Sequence, residues 1–359
     1  MGPGETGQAR ALAKYIVKSS GKIIFALCQK KNLHFLAKDK KFKIFFTENP
    51  CQLKDTVGKE KPDVILFFNS KMWGSHFQDF QITPPFKKPL LTFCVDSNWL
   101  FNEKTYPDFR FIKWADKYLI LFPKKIFESG LKENGGGFTI PHSFLKKVLP
   151  IGFMPSYEKP KKKAILETRR KYEIEKDEKF IFSYFSGFGA GHRIWAFYNL
   201  IEAVDRLVKK GKKIKVLYVG PIESLDKKML QRDWLMKKDG LSADDYFLTL
   251  ASSDLVFQHQ GMVTLSQAIS ANVPVIANVS VLKEVRFKKL HIFEVGPFNK
   301  AGLCDMLTKN TPCNEISKKI EELLYNNISR KKMIKKQREL FQRGEITAYK
   351  FIQKKLKNL

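Results

Sequence analysis

The stretch 253–276, SDLVFQHQGMVTLSQAISANVPVI, is compatible with few folds. An apolar run at 254–257 reads as a strand, and His259 and Gly261 form a His-x-Gly turn. A helix opens at Thr264, and a second apolar strand is entered through Val273 and Pro274. That succession is one β-loop-α-β unit. A loop that delivers the chain from a strand into a helix aims unpaired backbone N–H groups and the positive end of the helix dipole at one point, which suits phosphate. Gly261 would let the backbone approach a diphosphate, with Met262 and Val263 in the same turn. The Thr264 hydroxyl would donate to the diphosphate and His259 would add a ring N–H. Gln267, one turn further on, could bond a ribose hydroxyl.

The residues His259, Gly261, Thr264, Gln267, Ala268, Val273 and Pro274 fall without a gap on the pattern H-x-G-x-x-[ST]-x-x-[EQ]-A-x-x-x-x-V-P. In this respect the chain resembles the GT-B glycosyltransferases, in particular the UDP-sugar transferases related to the peptidoglycan N-acetylglucosaminyltransferase and to the UDP-glucuronosyl and plant glucosyl enzymes. The resemblance implies an α/β fold of two Rossmann-like, doubly wound domains, the second of which holds a UDP-sugar donor. It also implies a lipid-linked or glycan acceptor hydroxyl, with no cofactor and no metal; no Asp-x-Asp motif is placed to hold one. The plainer alternative is an ordinary βαβ unit whose His and Thr cap a helix. A non-catalytic nucleotide-sugar binder and a UDP-sugar epimerase also remain open.

At 359 residues the chain is long enough for two domains of ordinary size. Hydrophobic residues at 43% suffice for real cores, and no window is apolar over the ~18 residues a membrane span needs. The N-terminus shows no apolar signal-peptide core, so a cytoplasmic protein is expected. Cys28, Cys51, Cys94, Cys304 and Cys313 are scattered without CxxC spacing and read as reduced thiols.

A formal charge of +29 calls for an anionic partner or a compositional bias toward Lys, Phe and Ile. The lysines are spread over the chain, in runs such as 38–43, 159–163 and 331–336, with no arginine-rich stripe and no recognisable nucleic-acid module. Nucleic acid therefore ranks below an anionic membrane surface, where each surface lysine contributes about 1 kcal/mol.

Along the chain, apolar β-type runs at 22–27, 43–46, 63–68, 89–95 and 117–122 alternate with helical patterns, as in a parallel, doubly wound sheet. The run 147–153 closes a first domain, 1–153, and the Pro- and Lys-rich stretch 154–163 reads as a linker. The second domain, 164–344, opens with a strand at 179–185 and continues into Gly187, Gly189 and Gly191, a loop able to approach phosphate. Further on, Ser242 with Asp245 three residues later forms a capping box. Gly344 should break the helical tail. The last segment, 345–359, is expected either to cross back onto the first domain, as the resemblance implies, or to lie on a membrane as a basic amphipathic helix.

The N-terminus holds a literal G-x-G-x-x-G at Gly2, Gly4 and Gly7, but no strand precedes it and no acidic residue follows at dinucleotide-site spacing. It resembles the glycine loop that follows the first strand of the acceptor domain in these transferases, with Arg10, Ala11 and Leu12 beginning the first helix. Gly4, Gly7 and Gln8 then form the acceptor-side loop, and the first strand of this domain is missing, as in a shortened form of the protein. Many relatives carry a histidine there as a general base; Gly7 and Gln8 cannot take that role. Asp96, at the carboxyl end of an expected strand, and His76, in a loop, are the alternative candidates. Lys283 and Glu284 stand where relatives hold the sugar with an Asp-Gln pair.

Overall fold

The computed structural model describes residues 3–18, 22–27, 41–46, 50–68, 91–96, 115–132, 145–155, 157–185, 194–220, 222–223, 225–259, 261–279 and 290–358. They form two units, Met1–Ser156 with Gln342–Leu359, and Tyr157–Phe341. In the first unit, α1 (Pro3–Lys18) precedes β1 (Ile23–Leu27) and β2 (Phe42–Phe46), which pair in parallel. After α2 (Pro50–Glu60), the strands β3 (Val64–Phe68), β4 (Leu91–Asp96), β5 (Lys117–Ile120) and β6 (Val148–Pro150) form a parallel sheet in that order. α3 (Lys124–Lys132) lies between β5 and β6 in the chain. The run VILFF at 64–68 is apolar throughout, as strands of parallel sheets generally are, and ends in the buried Phe67 and Phe68.

No register joins β1 to β3 among the described residues, so the sheet is interrupted there. One core nonetheless unites the two parts. Ala9, Leu12 and Ala13 of α1 pack with Phe25 of β1, Phe68 of β3 and Phe93 of β4.

Gly4 and Gly7 form no loop, which corrects the expectation above. α1 starts at Pro3, and Gly4, Gly7 and Gln8 are helical residues within it. Proline suits the first helical position, where its missing N–H costs nothing. Thr6, Ala9, Leu12 and Ala13 recur at helical spacing and are buried, which offsets the roughly 1 kcal/mol that each glycine costs a helix. Gln8 is itself only 5% exposed.

The chain's final helix belongs to this first unit. Phe153 N–H donates to the Gln342 carbonyl at 2.9 Å and Gly344 N–H to the Phe153 carbonyl at 2.5 Å. Gly152 sits at φ +94°, and a Cβ on Gly344 would fall 2.6 Å from the Gly152 carbonyl oxygen, so neither position tolerates a side chain. From there α11 (Gly344–Leu356) runs along α1, with Tyr349 against Tyr15 at 6.2 Å and Phe351 edge-on to Phe93 at 5.5 Å.

The second unit carries, among the described residues, an all-parallel sheet in the order β12-β11-β10-β7-β8-β9. Its elements are α4 (Lys162–Lys171), β7 (Lys179–Tyr184), α5 (Ile194–Lys209), β8 (Ile214–Val219), a 3-10 turn (Lys227–Leu230), β9 (Leu235–Lys238) and α6 (Ala243–Ser252). These are followed by β10 (Leu255–His259), α7 (Met262–Ala271), β11 (Val275–Val279), α8 (Leu290–Lys300), β12 (Asp305–Thr308), α9 (Cys313–Tyr325) and α10 (Asn327–Leu340). The chain starts at β7 and builds β8 and β9 on one side, then crosses to the other side for β10, β11 and β12. β7 and β10 therefore flank a topological switch point, where open α/β sheets bind ligands beyond the carboxyl ends of their strands.

Below the opposite ends of the same two strands, Asp254 is clamped. Arg169 Nη1 donates to its Oδ2 at 3.1 Å, Phe180 N–H to the same oxygen at 2.9 Å, and Arg330 Nη1 to its Oδ1 at 3.4 Å. This ties α4, β7, β10 and α10 together. Packed apolar side chains of α5, α9 and the sheet, among them Phe197, Leu200, Ile201, Leu255, Phe257, Ile276 and Ile320, make up the main core.

Candidate functional site at the switch point of the second unit

β10 is buried along its whole length and ends at His259, which is 5% exposed. The chain then turns sharply, with Gly261 N–H bonding the His259 carbonyl at 2.6 Å, and enters α7 at Met262. The helix thus opens two residues before Thr264, and the β strand runs to His259 itself. Gly261 caps α7 without any side-chain hydrogen bond. The first regular bond is Leu265 N–H to the Gly261 carbonyl at 2.9 Å, so the amides of the first turn have no acceptor within the helix. At its other end α7 stops at Asn272, in the left-handed conformation at φ 58°, followed two residues later by Pro274. Residues A-N-V-P therefore position β11 and, through it, the turn.

Thr264, the third residue of α7, is 5% exposed, and its Oγ1 lies 2.7 Å from the Tyr246 hydroxyl of α6. A Cβ on Gly261 would sit 3.5 Å from Thr264 Oγ1, which places that hydroxyl against the turn. The α6 helix is held by its capping box, with Ser242 Oγ accepting from Asp245 N–H at 3.1 Å. Asp245 in turn accepts from Lys171 Nζ at 2.8 Å, and that hydrogen bond keeps its carboxyl below the usual range. Trp195, in the first turn of α5, meets His259 edge-on at 6.3 Å.

Buried polar atoms concentrate at these strand ends. Ser183 Oγ of β7, Asn278 Oδ1 of β11, both amide atoms of Gln258 and Gln267 Oε1 of α7 have no hydrogen-bond partner among the described residues. Asn278 uses its Nδ2 on the Gln258 carbonyl at 2.9 Å. An unpaired polar atom at that depth costs about 1–3 kcal/mol. Five of them at the carboxyl ends of neighbouring strands and on the adjoining helix mark this end of the sheet as a place built for polar contact.

His259, Gly261, Met262, Val263, Thr264 and Gln267 come together here. Gly187, Gly189, Gly191, His76, Lys283 and Glu284 lie outside the described residues. Asp96 is the last residue of β4, at a carboxyl end in the first unit. Sequence reasoning missed Ser183, Asn278 and Tyr246. A signal existed for the first two: Asn278 is a polar interruption in the fully buried strand VIANV, and Ser183 is a buried polar residue that follows the apolar run FIF in KFIFSY.

No protein-family model matches the sequence, and no curated protein matches it. Solved structures do. A glycosyltransferase from Rickettsia africae aligns with a TM-score of 0.63 at 14% identity, over 99% of this chain and 95% of that one. A candidate UDP-N-acetylglucosamine 2-epimerase from Listeria monocytogenes aligns at 0.62 and 14%, over 92% and 88%. Phytolacca americana UGT2, complexed with UDP-2-fluoro-glucose and pterostilbene, aligns at 0.61 and 13%, over 94% and 92%. These structures share with the present chain an α/β architecture of two Rossmann-like domains, and the chain has the GT-B fold.

Proposed function

We propose that the second unit binds a UDP-sugar at the α7 N-terminus and that the protein transfers the sugar to an acceptor hydroxyl. The observation that carries this reading is a helix N-terminus with no side-chain cap standing at the switch point, with His259, Gly261 and Thr264 around it. In the transfer, the bond from the sugar's anomeric carbon to the diphosphate oxygen breaks and a bond to the acceptor oxygen forms. The acceptor's proton passes to a base, for which Asp96 and His76 are the candidates. Negative charge grows on the departing UDP; the α7 dipole, the first-turn amides of Met262 and Val263, the Thr264 hydroxyl and the His259 ring would stabilise it. Gln267 Oε1, buried and without a partner among the described residues, is suited to a ribose hydroxyl. Gly187, Gly189 and Gly191, in the segment that follows β7, complete the donor site in this proposal.

Thermal unfolding with millimolar UDP, beside UMP, GDP and ADP, tests it. UDP at 100 times its dissociation constant adds about 2.7 kcal/mol. The expected result is a shift specific to UDP that His259→Ala abolishes; a folded sample indifferent to every nucleotide would sink the proposal.

Isomerisation of a UDP-sugar is the second reading, favoured by the epimerase among the matching folds. An isomerised UDP-sugar formed without acceptor decides for it, and sugar transfer decides against it.

The acceptor is proposed to be lipid-linked or a glycan, met at the cytoplasmic face of an anionic membrane. No helix among the described residues is long and apolar enough to cross one. In support of a surface contact, Ile328 is 79% exposed, and the exposed Lys331, Lys332 and Lys335 follow it at helical spacing along α10. Co-sedimentation with anionic but not neutral vesicles, weakened by Ile328→Ser, is the expected outcome.

A further inference from the structure

We infer that Tyr246 is a positioning residue for the donor diphosphate and acts through Thr264; this rests on the donor-site reading above. The Tyr246 and Thr264 hydroxyls lie 2.7 Å apart, so one donates to the other. A phenol is the better donor and an aliphatic hydroxyl the better acceptor, because the phenol oxygen shares its electron pair with the ring. Tyr246 therefore gives its proton to Thr264 Oγ1, and the Thr264 proton is left to be offered elsewhere.

The surroundings favour that assignment. The Tyr246 ring is wedged edge-on against Tyr184 at 4.7 Å and against Phe182 at 5.4 Å, both on β7. Its hydroxyl is carried by the capped helix α6 and cannot swing away without breaking these contacts. Burial pushes the phenol well above its ordinary range, so it stays protonated and able to donate. Thr264 Oγ1 lies against the Gly261 turn, beside the first-turn amides of α7. With its acceptor capacity engaged by Tyr246, its single proton is free to meet a phosphate oxygen at that helix end. Without the phenol, Thr264 can turn its proton toward another acceptor.

The test is UDP affinity measured by titration calorimetry on the wild type, Tyr246→Phe, Thr264→Val and the double variant. Tyr246→Phe keeps the ring and its packing. The expected result is a loss of about fivefold for Tyr246→Phe, corresponding to one hydrogen bond. Thr264→Val should lose at least as much, and the double variant no more than Thr264→Val alone. Thr264→Ser, which keeps the hydroxyl, should bind UDP as the wild type does, and should guard the conclusion if the valine variant folds poorly. Wild-type affinity in Tyr246→Phe, or losses that add in the double variant, would overturn the inference while leaving the donor site standing. A folded wild type that binds no UDP overturns both.

Discussion

At the scale of single residues, the structure places ionisable groups where their environment decides their behaviour. Glu345, in the first turn of α11, is 1% exposed; Arg343 Nε donates to its Oε1 at 2.6 Å, while Oε2 has no partner among the described residues. Burial outweighs the arginine and holds the carboxyl above its ordinary value of 4.5. An acid whose folded value is raised binds its proton more tightly in the fold, so its contribution is complete below pH 4.5 and is lost as pH rises through the raised value. Glu345→Gln, which still accepts from Arg343, should remove that decline. Urea midpoints measured across the range from pH 4 to 8 should fall for the wild type relative to the variant, and parallel curves would show that Glu345 is not the source.

Among the elements, α6 matters most to the site because it carries Tyr246 to Thr264. It starts cleanly because Ser242 Oγ accepts from Asp245 N–H. It is also tied to α4 through Lys171 and Asp245. Ser242→Ala should cost about 1 kcal/mol, as loss of an N-cap usually does. Because it loosens the first turn that holds Tyr246, it should also weaken UDP binding more than an exposed change at the far end of α6 would. Denaturant unfolding gives the first quantity and titration the second. Equal stability of variant and wild type would show that the cap does not hold the first turn of α6.

For the molecule as a whole, two units with separate cores make a single unfolding free energy an inadequate description. Gly344 is confined by the Gly152 and Phe153 carbonyl oxygens, 2.6 and 2.8 Å from where its Cβ would lie. Gly344→Ala should therefore destabilise the first unit by 1–3 kcal/mol or more, about 2–4 °C per kcal/mol for a unit of this size. Calorimetry should show UDP raising one transition and Gly344→Ala lowering the other. A variant that moved the UDP-responsive transition instead would contradict the division.

The amino-acid order is enough for the elements whose signals are local. The strand-turn-helix-strand of 253–276, the capping box at Ser242 and the break before Gly344 all follow from periodicity, caps and glycine. It misread the N-terminus. There a glycine spacing that suggests a loop is overridden by Ala9, Leu12 and Ala13, whose burial depends on elements distant in sequence. Tertiary structure alone decided that β7 and β10 stand side by side, since strand order rests on long-range pairing that no local pattern encodes. It also decided that Tyr246 meets Thr264, and that Ser183, Gln258 and Asn278 gather at one end of the sheet. Ser183 and Asn278 stand out locally only as polar interruptions of their strands, and Gln258 and Tyr246 not at all; what these residues can do arises only when long-range packing brings their buried polar atoms together.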